Sequence, residues 1–227
     1  MSIEIKTTTN PEDAAHFIVL SVLGQLQLGK HVLFFVTGGS SISVAVKVAD
    51  ILREHPKQNL TQNLTIMLTD ERYGVVGHAD SNWQQLIEKG FNLPQAKQIP
   101  ILTGDSRDIT TEKFNAVLDQ ELKAADYKIS LFGIGKDGHT AGILPDSPAV
   151  VSESLAFGYD TPTFSRITVT PKVIEKLDEV VVWVQGEEKW EVIENLKEKN
   201  IDITKQPAQI LKKVPLLTIF TDYKKHI

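Results

Sequence analysis

Residues 32–36, Val-Leu-Phe-Phe-Val, form a wholly apolar run of strand length that stops at Thr37-Gly38-Gly39-Ser40-Ser41. Helical spacing then resumes through Val46, Ala49 and Leu52 over residues 43–55. A buried strand, a glycine turn and a helix, in that order, make half of a βαβ unit. The pattern recurs along the chain. Further strands are expected at 64–68, 127–134, 167–169, 180–184 and 216–220, and further helices at 11–30, 81–89, 108–125, 171–177 and 187–199. Such alternation implies an α/β fold: a single three-layer domain over 1–227, with a mainly parallel, Rossmann-like sheet covered by helices. No linker or repeat of fixed period divides it.

Charge and composition narrow the function. The net charge is −5, and lysine and arginine are not gathered into a block, so no nucleic-acid partner is expected. Any basic site must be local. With no cysteine, disulfides, thiolate metal sites and cysteine nucleophiles are excluded. The start, Met-Ser-Ile-Glu-Ile-Lys, lacks the basic and then apolar regions of an export signal, and the longest apolar runs are strand-sized. No membrane partner is expected, and the cytoplasm is the default location. The expected partner is a small molecule, bound by a monomer or small homo-oligomer.

In open parallel sheets, ligands bind beyond the carboxyl ends of the strands, where loops enter helix amino termini. Three polar clusters fall at such places. In the first, Gly38 and Gly39 allow close backbone approach and Ser40 and Ser41 add hydroxyls, which suits an anion cradle. A tight turn with a serine N-cap explains the same residues. The segment lacks the P-loop lysine and the dinucleotide-binding spacing. In the second, Asp70-Glu71-Arg72 follows a strand and precedes Asp80-Ser81-Asn82 at a helix start. Arg72 can grip an anion while one of the two acids remains free to act on hydroxyls, although a surface ion pair and a helix cap explain the same residues.

The third cluster, Gly133-Ile134-Gly135-Lys136-Asp137-Gly138-His139-Thr140-Ala141, carries a strand into three glycines with an aspartate two residues before a histidine. Glycines let the chain turn sharply and present His139 to a cleft, and Asp137 can fix its tautomer, as a general base requires. A buried or capping histidine explains neither the glycines nor the position. No His-Glu-x-x-His segment or other metal-ligand spacing occurs, so no metal and no cofactor are expected. A Gly-x-Ser-x-Gly nucleophile elbow is also absent.

Together these clusters resemble the 6-phosphogluconolactonase family, within the larger group that includes glucosamine-6-phosphate deaminases. Residues 37–41 look like the family's Ser-Gly-Gly-Ser-Thr loop. Asp70-Glu71-Arg72 with Ser81-Asn82 looks like its Asp-Glu-Arg and Ser-Asn pair, and residues 133–141 look like its Gly-x-Gly-x-Asp-Gly-His-x-Ala signature. Downstream, Arg166 looks like the family arginine opening a late strand. Gly186-Glu187-Glu188-Lys189 looks like its Gly-x-x-Lys phosphate contact, although spacing alone reads Lys189 as an exposed lysine in a first helical turn. Two departures stand out: Ile42 replaces the usual proline, and Gly142-Ile143-Leu144-Pro145-Asp146 replaces Ser-Leu-Phe-Pro-Gly.

The resemblance implies hydrolysis of 6-phospho-D-glucono-1,5-lactone to 6-phosphogluconate, a step of the oxidative pentose phosphate pathway. His139 would act as general base, oriented by Asp137, with Asp70 holding sugar hydroxyls. Gly38, Gly39, Ser40, Ser41, Arg72, Arg166 and Lys189 would surround the phosphate. The sister deaminases typically carry tyrosine after Asp-Glu and a catalytic glutamate shortly past the histidine. This chain has Arg72, and no acid over residues 140–145. A non-catalytic sugar-phosphate-binding protein and an unrelated α/β binding module are the remaining alternatives.

Overall fold

A computed structural model describes residues 3–224. The elements in chain order are β1 (Ile3–Thr7), α1 (Pro11–Gln27), β2 (Val32–Val36), α2 (Ile42–Glu54), β3 (Leu64–Leu68), β4 (Asp70–Arg72), α3 (Asn82–Glu88) and β5 (Lys97–Ile99). There follow α4 (Arg107–Ala124), β6 (Tyr127–Phe132), β7 (Ala156–Asp160), β8 (Ser165–Val169), α5 (Pro171–Ile174), β9 (Glu179–Val184), α6 (Trp190–Glu198) and β10 (Leu216–Thr221). The ends of the expected 1–227 domain, residues 1–2 and 225–227, lie outside the described residues, as do Met1 and Ser2 of the start judged to lack an export signal.

Seven strands form one sheet in the order β1-β10-β9-β6-β2-β3-β5, with every pairing parallel. Helices flank it in a single α/β domain, as the alternation of apolar runs implies. Strands β2, β3 and β9 are buried at every residue, which is why they read as nearly continuous apolar runs. Helix α1 opens with the Asn10 side chain accepting from the Glu12 N–H and Pro11 in the first turn. It buries Ala15, Ile18, Val19, Val22 and Leu26, the face its spacing marks out. No helix among the described residues is long and apolar enough to cross a membrane.

From β2 the chain steps outward through β3 to β5, returns as β6 on the other side of β2, and continues outward through β9 and β10. The order therefore reverses between β2 and β6, where adjacent loops diverge to opposite faces and leave a crevice.

A second sheet, β4-β8-β7, is antiparallel, and sequence patterning does not disclose it. Strand β4 has three residues, all charged, with no apolar period to reveal it. Thr69 joins the two sheets. Its N–H donates to the Val36 carbonyl at 2.9 Å, and its own carbonyl accepts from Val169 at 2.8 Å. Several boundaries also shift. The strand expected at 127–134 ends at Phe132, where the glycine turn begins, and the helix expected at 171–177 is the single turn Pro171–Ile174. The half-exposed β1 and three-residue β5 have no continuous apolar run to reveal them in the sequence.

Candidate active site

The four central neighbours β9, β6, β2 and β3 send their carboxyl ends toward one cleft of about 310 Å³. Its wall includes Gly38, Gly39, Ser40, Asp70, Arg72, His139, Arg166 and Lys189, so segments far apart in sequence converge at the switch point. Asp137 stands beside the wall, paired with His139.

The histidine loop leaves β6 at Gly133 and closes on itself. The Gly135 N–H donates to the His139 carbonyl at 3.0 Å, and the Gly138 N–H to the Gly135 carbonyl at 2.9 Å. Gly138 has a φ of 80°, the left-handed region that glycine enters without steric cost. The Gly138 carbonyl accepts from Ala208, which ties the loop to the segment after α6. Oδ1 of Asp137 lies 2.6 Å from Nδ1 of His139 and accepts the His139 backbone N–H at 3.1 Å. The hydrogen bond with His139 is the main cause that holds the Asp137 pKa down to about 2. With Nδ1 donating to this carboxylate, the Nε2 lone pair is left free on a half-exposed ring, as a general base needs.

Asp70 is 4% exposed. Its Oδ1 accepts from Thr69 at 3.0 Å and Thr37 at 3.3 Å. Its Oδ2 lies 3.4 Å from the Asn82 amide and 3.6 Å from the Arg166 guanidinium. The cleft face of Asp70 is thus the loosely held side of an otherwise occupied carboxylate.

Arg72 and Arg166 are direct partners in the β4–β8 ladder. Arg72 donates to the Asp80 carbonyl at 3.2 Å, and the Lys189 ammonium has no carboxylate partner among the described residues. Three cations therefore face a cleft whose wall carries one carboxylate, Asp70. Such an excess favours an anion.

Gly38 and Gly39 form the floor. Gly39 has a φ of 66°, and a Cβ on Gly38 would fall 2.3 Å from the Asn82 side chain, so the backbone lies flat against that amide. The serine-cap alternative is not what forms. Ser41 makes no side-chain cap bond at the start of α2; a 3₁₀ turn over Gly39–Ser41 leads into the helix instead, and the Ile42 N–H donates to the Gly39 carbonyl. Nor does Ser41, expected to contact phosphate, reach the cleft. It is wholly buried, its hydroxyl has no partner among the described residues, and the side chain packs toward Gly133.

Two residues beyond those expected contribute. Asn82 lines the cleft, donating to the Asp70 carbonyl at 3.0 Å. Its place at a helix start was readable, but not which way its amide turns. Glu71, wholly buried, accepts from the N–H groups of Arg72, Asn82 and Trp83 and from the Ser81 hydroxyl. Desolvation raises its pKa, and these donors oppose the rise. By capping α3 from β4, Glu71 fixes Arg72 and Asn82 relative to one another, a link across the sheet junction that spacing cannot reveal.

Fold and site define a Rossmann-like α/β protein with a cationic cleft at the sheet's switch point and an aspartate-oriented imidazole on its rim. The family model described as glucosamine-6-phosphate isomerases/6-phosphogluconolactonase matches residues 9–218, and the chain belongs to that family. A relative named 6-phosphogluconolactonase from Borreliella burgdorferi is 27% identical over 216 residues, 86% of each chain. One of the same name from Aggregatibacter actinomycetemcomitans is 26% identical over 203 residues, 86% of this chain and 84% of that one. Among solved structures, a 6-phosphogluconolactonase from Shewanella baltica superposes with a TM-score of 0.79 at 20% identity, covering 97% of this chain and 98% of that one. A monomeric glucosamine-6-phosphate deaminase gives 0.77 at 20% identity and 97% of each chain. The fold is common to both activities, so the residues of the cleft must decide between them.

Proposed function

We propose that this chain is a lactone hydrolase that opens 6-phospho-D-glucono-1,5-lactone to 6-phosphogluconate, the step this reaction fills in the oxidative pentose phosphate pathway. The observation that carries the reading is the Asp137–His139 pair on the rim of a cleft that also holds Arg72, Arg166 and Lys189. His139 Nε2 takes a proton from water as its oxygen attacks C1 of the lactone. The C1–O5 bond then breaks, and the imidazolium returns the proton to O5. The new carboxylic acid releases its own proton to solvent.

The phosphate is a handle. Gripped by the glycine loop, Ser40, the two arginines and Lys189, it supplies binding energy remote from the reacting carbon and positions it. Asp70 accepts a hydrogen bond from a sugar hydroxyl, a reading supported by the two loose contacts of its Oδ2.

Against the deaminase reading, the first acid after His139 is Asp146, which is exposed and paired with Lys205 at 2.7 Å. Amine elimination would lack the expected proton shuttle.

The test is a coupled assay with freshly generated lactone, corrected for spontaneous opening, beside ammonia release from glucosamine 6-phosphate. Lactone turnover is expected, with His139→Ala lowering kcat by about 10²–10⁴-fold. Ammonia release without lactone turnover overturns the reading, and a His139→Ala variant within about tenfold of the parent overturns the general-base role.

A further inference from the structure

The register places Arg72 and Arg166 opposite each other, and like charges in that position repel. The polar partners near them are few. Arg166 has Asp70 at 3.6 Å, and Arg72 has the Asp80 carbonyl. The Nε atoms of both are buried from water and donate to no oxygen among the described residues. What the two share is Phe164. Its ring centre lies 4.5 Å from the Arg72 Cζ and 5.6 Å from the Arg166 Cζ.

Phe164 is itself held from behind. It occupies the turn between β7 and β8, where the Thr161 N–H donates to its carbonyl at 2.8 Å and its own N–H donates to the Thr161 hydroxyl at 3.0 Å. The ring is half-buried and does not form part of the cleft wall. A π face under two guanidinium groups offsets part of their mutual repulsion and of their desolvation, and restricts where their planes can lie.

We propose that Phe164 is a positioning residue for the anion grip, holding both arginines in place for a phosphate group without touching it. The inference rests on the phosphate role proposed above for Arg72 and Arg166. If Phe164 only packs the hairpin, its replacement changes thermal stability and leaves the affinity of the folded fraction alone.

The experiment compares the unsubstituted chain with Phe164→Leu and Phe164→Tyr. It reads inorganic phosphate binding by calorimetry, KM and kcat for the lactone, and the melting temperature. Phe164→Leu is expected to raise both the phosphate Kd and KM about five- to tenfold with kcat within about twofold, and Phe164→Tyr to restore both. Should the leucine variant not fold, Phe164→Met reads the same quantities. A folded Leu or Met variant with unchanged phosphate Kd and KM overturns the proposal, as does an unsubstituted chain that binds no phosphate. If the chain opens no lactone yet Phe164→Leu weakens phosphate binding, the hydrolase reading fails and the grip stands. Lactone turnover that is indifferent to Phe164 is the converse.

Discussion

A Cβ on Gly135 would lie 2.2 Å from the ring of His139, so the imidazole occupies the space that any other residue at 135 would fill. That ring is half-exposed, and a methyl group at 135 displaces it outward rather than disrupting a core. Gly135→Ala is therefore expected to fold with a melting temperature close to the parent's while kcat falls about 10²-fold, the usual cost of misplacing a reacting group by about an ångström. Steady-state kinetics beside a melting curve check this. Full activity would mean that the ring is not the base.

The low pKa of Asp137 sets a pH window. Because folding lowers it to about 2, any stability this carboxylate contributes is present above its ordinary value of about 3.9 and is lost as pH falls through the folded value. The group is substantially exposed, so the contribution is small. From about pH 4 upward Asp137 stays ionised, and its hold on Nδ1 does not vary. Asp137→Asn should then lower kcat at least tenfold throughout about pH 5 to 8, leaving KM little changed. A loss confined to the acid side of kcat–pH profiles would contradict it.

Restoring the family's usual serine at 142 is expected to harm this chain. A Cβ there would meet the Thr168 Cβ at 2.9 Å and the Asp70 Cβ at 3.1 Å, and the Gly142 N–H already donates to the Thr168 hydroxyl at 3.0 Å. Overpacking of this kind costs about 1–3 kcal/mol. Gly142→Ser should unfold at lower denaturant concentration and, by pushing Asp70, raise KM. An unchanged denaturation midpoint would show that the loop can shift away.

The glycine-rich loops were legible because their chemistry is local. The runs 32–36 and 180–184 announce buried strands, and the glycines at 133, 135 and 138 announce a sharp turn under a histidine. Lys189 was different, since spacing reads it as a surface lysine and only the family resemblance points it inward. It stands in a 3₁₀ turn that opens from Gly186 at a φ of 109°. Ser40 and Ser41 are chemically alike, and which of them faces the cleft depends on the twist of the turn at Gly39. Glu71 and Phe164 are the hardest cases. Each acts on a partner eight or more residues away, or on another strand, through a small sheet with too few residues to show a period.

The two arginines hang from the small antiparallel sheet, whereas the imidazole, the glycine loop and Lys189 follow strands of the large one. Thr69, hydrogen-bonded into both, fastens the two sheets to each other. On the proposed reading, the phosphate spans the two sheets, held by the arginines of one and by the glycine loop and Lys189 of the other, and the reach from that grip to the imidazole limits how many carbons fit between them.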